Sequence, residues 1–171
     1  TNKAVRVLLK NGGSINLSNE LVKEFKFSGE KKANISYLCY SENTYKRCIN
    51  QQPLMIQHLK SEIHENISKE VENCFNSYKD ELKNQEFKVN GEYKGFNVSF
   101  KPGTVIISVF GNIEFSKAGN IKQRENFIIY LPSKIYDLSI VVQEVVSQEA
   151  RFCSFSDQGY EMFYPEFDIT K

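Results

Sequence analysis

Histidine is scarce in this chain: His58 and His64 are the only two in 171 residues. That scarcity limits hydrolytic and metal chemistry together. Both fall in a segment of helical spacing, six positions apart. That offset is about 240° around a helix, so no single face offers both to one metal. His64-Glu65 begins like the zinc-binding His-Glu-x-x-His helix, but Ser68 stands where the second histidine belongs. Both histidines read as solvated helix residues. No Gly-x-Ser-x-Gly segment presents a serine nucleophile. Cys74 lies ten positions beyond His64, about 15 Å along a helix, too far for a thiol–imidazole hydrogen bond. No Gly-rich loop ends in Lys-Ser or Lys-Thr, and Asn11-Gly12-Gly13-Ser14 reads as a turn. The cysteines form no Cys-x-x-Cys pair, which argues against zinc and thioredoxin-type chemistry.

Charge imbalance is also missing. The 22 basic and 21 acidic residues leave a net charge of +1, so neither a nucleic acid nor an anionic membrane surface is an expected partner. No apolar run approaches the ~18 residues of a membrane span. Thr1 opens the chain without a Met or a visible signal peptide, and a piece of a longer protein is expected. Carboxylates are plentiful. Glu144, Glu149, Glu161 and Glu166 would suit a glycosidase-like pair if they gathered, but they read as solvated surface charge.

What is present is material for a core. Hydrophobic residues make up 40% of the chain, with 13 Phe and 9 Tyr, which excludes global disorder. The strongest periodic signal runs from Pro53 to Glu86. Ile56, Leu59, Ile63, Ile67, Val71, Cys74, Phe75, Tyr78 and Leu82 recur at helical spacing. One long helix is expected, with this stripe, Cys74 included, laid against a sheet. Residues 96–100, 105–109 and 127–131 alternate or run apolar, separated by Pro102-Gly103 and Lys117-Ala118-Gly119-Asn120. That pattern predicts an antiparallel meander. Ser133 is a fair N-cap for a second helix carrying Ile135, Leu138, Val141, Val142, Val145 and Val146. Residues 4–10 suit either a strand or the end of a helix, stopped at Gly12-Gly13. Runs near 21–27 and 35–40 flank a hairpin turn at 28–32. The tail from Gly159 to Ile169 alternates and reads as a last strand. The fold class is therefore α+β: an antiparallel meander packed against one long and one shorter helix, in a single domain over residues 1–171.

The four cysteines are expected as two disulfides. Cys39 and Cys48 close a short polar loop, worth roughly 2.7 kcal/mol by loop entropy. Cys74 and Cys153 would tie the two helical layers together. Four Asn-X-Ser sequons, at Asn16, Asn34, Asn66 and Asn97, are candidate glycosylation sites. Cysteines and sequons together point to an extracytoplasmic location. Aromatic residues crowd the segment 152–167. They suit a closing strand with one buried face, the preferred reading, or an interaction surface formed by Tyr160, Phe163 and Tyr164.

Several stretches are familiar together. Tyr37-Leu38-Cys39-Tyr40 leads to Tyr45-Lys46-Arg47-Cys48, and Asn50-Gln51-Gln52-Pro53-Leu54 opens the long helix carrying Cys74-Phe75. Further on stand Ser133-Lys134-Ile135-Tyr136-Asp137-Leu138, Gln148-Glu149-Ala150-Arg151-Phe152 and Gly159-Tyr160-Glu161-Met162-Phe163-Tyr164-Pro165. From Gly12 onward the chain resembles a family of archaeal, nanoarchaea-related single-pass cell-surface proteins of uncharacterised activity. The resemblance implies a transmembrane anchor before Thr1, with residues 4–10 as the last turns of a helix continuing from it. It also implies a possible different partner for Cys74, a cysteine upstream of Thr1. It carries no catalytic residue.

The expected function is a non-enzymatic cell-surface domain acting in binding, adhesion or envelope assembly. A pilin-like or secretion-system subunit and an extracellular carboxylate-dependent hydrolase are the alternatives. No cofactor, metal or catalytic residue is expected. The expected partner is a protein or another envelope component, with the membrane reached only through the missing anchor and homo-oligomerisation left open.

Overall fold

The computed structural model describes residues 2–18, 21–26, 32–43 and 46–165. Its first element is a helix, α1 (Asn2–Lys10), so the opening apolar run is helical. Ala4, Val5 and Leu8 share one face and are buried, Leu8 completely. The Gly13 N–H donates to the Leu8 carbonyl at 2.8 Å, closing the helix end. Gly12 has φ +77°, and a Cβ there would meet Ile35 Cγ2 at 2.8 Å. Both the backbone angle and the space require glycine. Ser36 completes the turn, its hydroxyl donating to the carbonyls of Asn11 and Gly12 at 3.1 and 3.0 Å.

Two short antiparallel pairs follow. β1 (Val22–Phe25) pairs with β2 (Ala33–Ser36), Val22 opposite Ser36. Apart from Lys32, the turn expected between them lies outside the described residues. β3 (Cys39–Tyr40) pairs with β4 (Ile49–Asn50). This second pair brings Cys39 and Cys48 within reach of each other.

The long helix is α2 (Met55–Asn84), 30 residues and so about 45 Å long. Met55, Leu59, Ile63, Ile67, Phe75 and Leu82 are buried along it. They pack on the meander β5 (Lys88–Lys101), β6 (Thr104–Lys117) and β7 (Asn120–Pro132), in the order β5-β6-β7. The facing sheet residues include Phe96, Val98, Val105, Ile107, Val109 and Ile113. Gly111 leaves room for Phe75, since a Cβ there would stand 3.0 Å from its ring and 2.7 Å from the Glu92 carbonyl oxygen. The expected stripe is wider than the surface that covers it. Val71 is half-buried, and Tyr78 and Cys74 are exposed. The reason is placement: α2 packs on β5 and β6 and leaves an open groove beside β7.

The meander turns are as tight as their residues imply. Pro102-Gly103 places Gly103 at φ +68°, the arrangement of a type II turn. Ala118 and Gly119 both have positive φ, as a two-residue I′ hairpin needs. α3 (Ile135–Phe152) follows β7. The Ser133 hydroxyl accepts from the Ile135 N–H at 3.2 Å, although Lys134 is the residue flanking the helix. Ile135, Ser139, Val141 and Val146 are buried. Gly103 fastens α3 to the sheet. Its N–H donates to Asp137 Oδ2 at 2.9 Å, and its carbonyl accepts from the Ser133 N–H at 2.9 Å.

The tail corrects the sequence reading. Residues 157–163 form a helix, α4 (Asp157–Phe163), not a strand. Ser156 caps it, accepting from the Gly159 N–H at 3.2 Å. Residues 166–169 of the expected strand lie outside the described residues. Among the described residues no helix is long and apolar enough to cross a membrane.

Candidate interaction surface

Helix spacing brings Tyr160 and Phe163 of α4 beside Tyr164 at its C-terminal end; Phe163 and Tyr164 are exposed and Tyr160 is half-buried. Tyr160 and Tyr164, four apart, bring their rings to 4.7 Å. Phe163 is 80% exposed. Phe155, just before the helix, is buried and lies 5.7 Å from the Tyr160 ring. It supports the cluster from below. The expected closing strand is thus replaced by a short helix, and Tyr160, Phe163 and Tyr164 line one groove.

These aromatics form one wall of a groove of about 780 Å³ whose other wall is α3, with Tyr136, Asp137, Ile140, Glu144 and Gln148. Asp137 is held by the Gly103 N–H, and Glu144 Oε1 accepts from Gln148 Nε2 at 2.8 Å. Asp137 and Glu144 are seven positions apart on one helix face, about 10.5 Å along its axis. The remaining carboxylates considered from sequence do not gather here. Glu149 and Glu161 do not line the groove, and Glu166 lies outside the described residues. The groove offers aromatic faces, hydrogen-bond acceptors and negative charge, which is the equipment of a binding surface.

The Cys39–Cys48 disulfide is present, with Cα atoms 5.4 Å apart across the β3–β4 pair. The expected Cys74–Cys153 bridge is absent: both are exposed free thiols. Cys74 precedes Phe75 by one position, a 100° turn of the helix, so burying Phe75 points Cys74 into the open groove beside β7. Cys153 terminates α3 in a left-handed conformation, φ 54°.

All four sequon asparagines, Asn16, Asn34, Asn66 and Asn97, are exposed. Only Asn16 lies outside regular structure, where its Oδ1 accepts from the Ser18 N–H at 3.0 Å. The hydroxyl of the Asn34 sequon is the buried Ser36 that closes the α1 turn.

The histidines differ from the solvated pair expected. His58 is half-buried, with Nε2 3.1 Å from Oγ of the buried Ser14. His64 is exposed but stacks on Phe96 with centroids 4.3 Å apart. Among the described residues no group of three or more His, Cys, Asp or Glu could hold a metal ion. Among the described residues one titration is displaced: burial, with Glu72 nearby, raises the Tyr93 phenol above its usual value near 10.

The chain matches no protein-family model, no curated protein and no solved structure.

Proposed function

We propose that this chain is a non-enzymatic, extracytoplasmic cell-surface domain that works by binding a protein or other envelope partner. The observation that carries the reading is the aromatic ridge at the α3–α4 groove, with Phe163 and Tyr164 exposed and Tyr160 half-buried beside them. Large aromatics exposed together are costly to leave in water and supply much of the energy at interface centres. The Cys39–Cys48 bridge supports an oxidising compartment, and the resemblance to anchored archaeal surface proteins supports the same placement.

The test uses the fluorescently labelled domain and isolated cell envelopes of the parent organism. Phe163→Ser with Tyr164→Ser is expected to weaken saturable binding by roughly tenfold or more. Far-UV circular dichroism checks that the variant is folded. Equal binding by the variant and the unsubstituted domain, or no saturable binding by either, overturns the reading.

A further inference from the structure

The meander has two outer strands, and their chemistry differs. β5 carries Lys88, Glu92, Lys94 and Lys101, all exposed, and a register shift between Tyr93 and Gly95. Charges and bulges are the usual defence of a sheet edge against pairing with another strand. β7 has charges only in its first half, at Lys122, Arg124 and Glu125. Beyond the irregularity at Asn126, φ 49°, it reads Phe127-Ile128-Ile129-Tyr130-Leu131. No charge or proline interrupts it before Pro132. An unbroken apolar run is the pattern of a strand covered on both faces and flanked on both sides. Among the described residues, β7 has a neighbour only on its β6 side.

Register assigns each face. Val105, Ile107 and Val109 oppose Leu131, Ile129 and Phe127, which line the groove of about 760 Å³ beside α2. Ile106 and Ser108 oppose Tyr130 and Ile128 on the reverse face. Ile128 is 55% exposed, Ile129 44% and Tyr130 64%. Summed over both faces, and with Phe110 and Tyr78, also exposed, they leave on the order of 500 Å² of residue surface in water. A standard interface buries about 800 Å² per partner, so this patch with the strand's own backbone edge approaches what a stable dimer needs.

We propose that residues 127–131 pair with the same residues of a second copy, antiparallel about a two-fold axis at Ile129, joining two three-stranded sheets into one of six strands. Phe127 then opposes Leu131, Ile128 opposes Tyr130 and Ile129 opposes itself, so every facing pair is apolar. The axis stands perpendicular to the sheet, which keeps groove-side residues against groove-side residues. A second copy fits because the window is symmetric about Ile129 in its apolar character, as an isologous contact requires. It contains no charge that would call for an opposite charge on a different partner. The strand ends where Ser133 donates to the Gly103 carbonyl, limiting the pairing to this window. The outer β5 edges keep their charges, so association closes at two copies.

Sedimentation equilibrium on the whole chain, over a range of concentrations, tests the proposal. The unsubstituted chain is expected to dimerise. Ile128→Lys with Tyr130→Lys is expected to weaken the dimer more than roughly tenfold, since lysine is a common edge protector. Both side chains face solvent, and a thermal melt confirms that the variant is folded. Ile49→Lys replaces an isoleucine exposed elsewhere and is expected to leave the dimer intact. Hydrogen exchange of the 127–131 amides is expected to slow as concentration rises. A chain that stays monomeric throughout overturns the proposal. So does a folded lysine variant that dimerises as before, a dimer lost equally in Ile49→Lys, or a dimer in which those amides exchange as in the monomer.

Discussion

Ile63 and Ile67 make a controlled comparison on one helix. Both are essentially inaccessible, at 0% and 1%. Truncation to alanine removes the same three carbons from each, a transfer loss of about 2.4 kcal/mol at roughly 0.8 kcal/mol per carbon. The surroundings differ. Ile67 lines the open groove between α2 and β7, whereas Ile63 does not. A space opened at Ile67 can relax or fill from the groove, so its cost should stay near 2–3 kcal/mol. A space at Ile63 is enclosed, and its residual cavity adds to the transfer loss, towards 4–5 kcal/mol. Urea unfolding followed by far-UV circular dichroism, at one protein concentration and with the disulfide intact, reads both. The midpoint should fall for each variant with an unchanged slope. A cost below about 1 kcal/mol for Ile63→Ala, or a larger cost for Ile67→Ala than for Ile63→Ala, would refute the reasoning and with it the placement of α2 on the sheet.

Thiol chemistry should separate the cysteines: maleimide on the folded, unreduced chain should label Cys74 and Cys153 and spare Cys39 and Cys48, as peptide mapping would show. Reducing the bridge should cost up to roughly 2.7 kcal/mol of stability, read by the same urea titration. Tyr93 should hold its proton above pH 10, because burial and Glu72 favour the neutral phenol. A raised acid pKa contributes stability fully present below the unfolded value and lost as pH rises through the folded one. Thermal melts should therefore decline above pH 10, and NMR of ring-labelled tyrosine should show Glu72→Gln lowering the Tyr93 titration. A Tyr93 that titrates at or below 10 would contradict the burial.

Period and turn chemistry made the centre of this fold legible. α2 announces itself by eight turns of apolar spacing, and the meander by alternation broken at Pro102-Gly103 and Ala118-Gly119. The tail misled because Tyr160, Met162 and Tyr164 alternate with polar or bulky neighbours in a segment too short for period to decide. Ser156-Asp157, a capping residue followed by an acid in the first turn, was the local signal for a helix. Cys74 was misplaced for a different reason. An apolar stripe shows which side of a helix avoids water, not how much of that side a neighbour reaches. The aromatics of the candidate site stood out by density alone. Their partners across the groove, Glu144 and Gln148, look like any polar face of a helix, and only the groove that α3 and α4 line together gives them a role.

The double use of Gly103 has a mechanical meaning. Its amide is tied to Asp137 and its carbonyl to the Ser133 amide, so the tip of the β5–β6 hairpin and the first turn of α3 are fastened at one residue. A hinge needs a few residues free to absorb changes in φ and ψ, and the link between β7 and α3 is clasped instead. A pull on the α3–α4 side would pass into the sheet at its tip and be carried along the strands, and the helix would not swing away first.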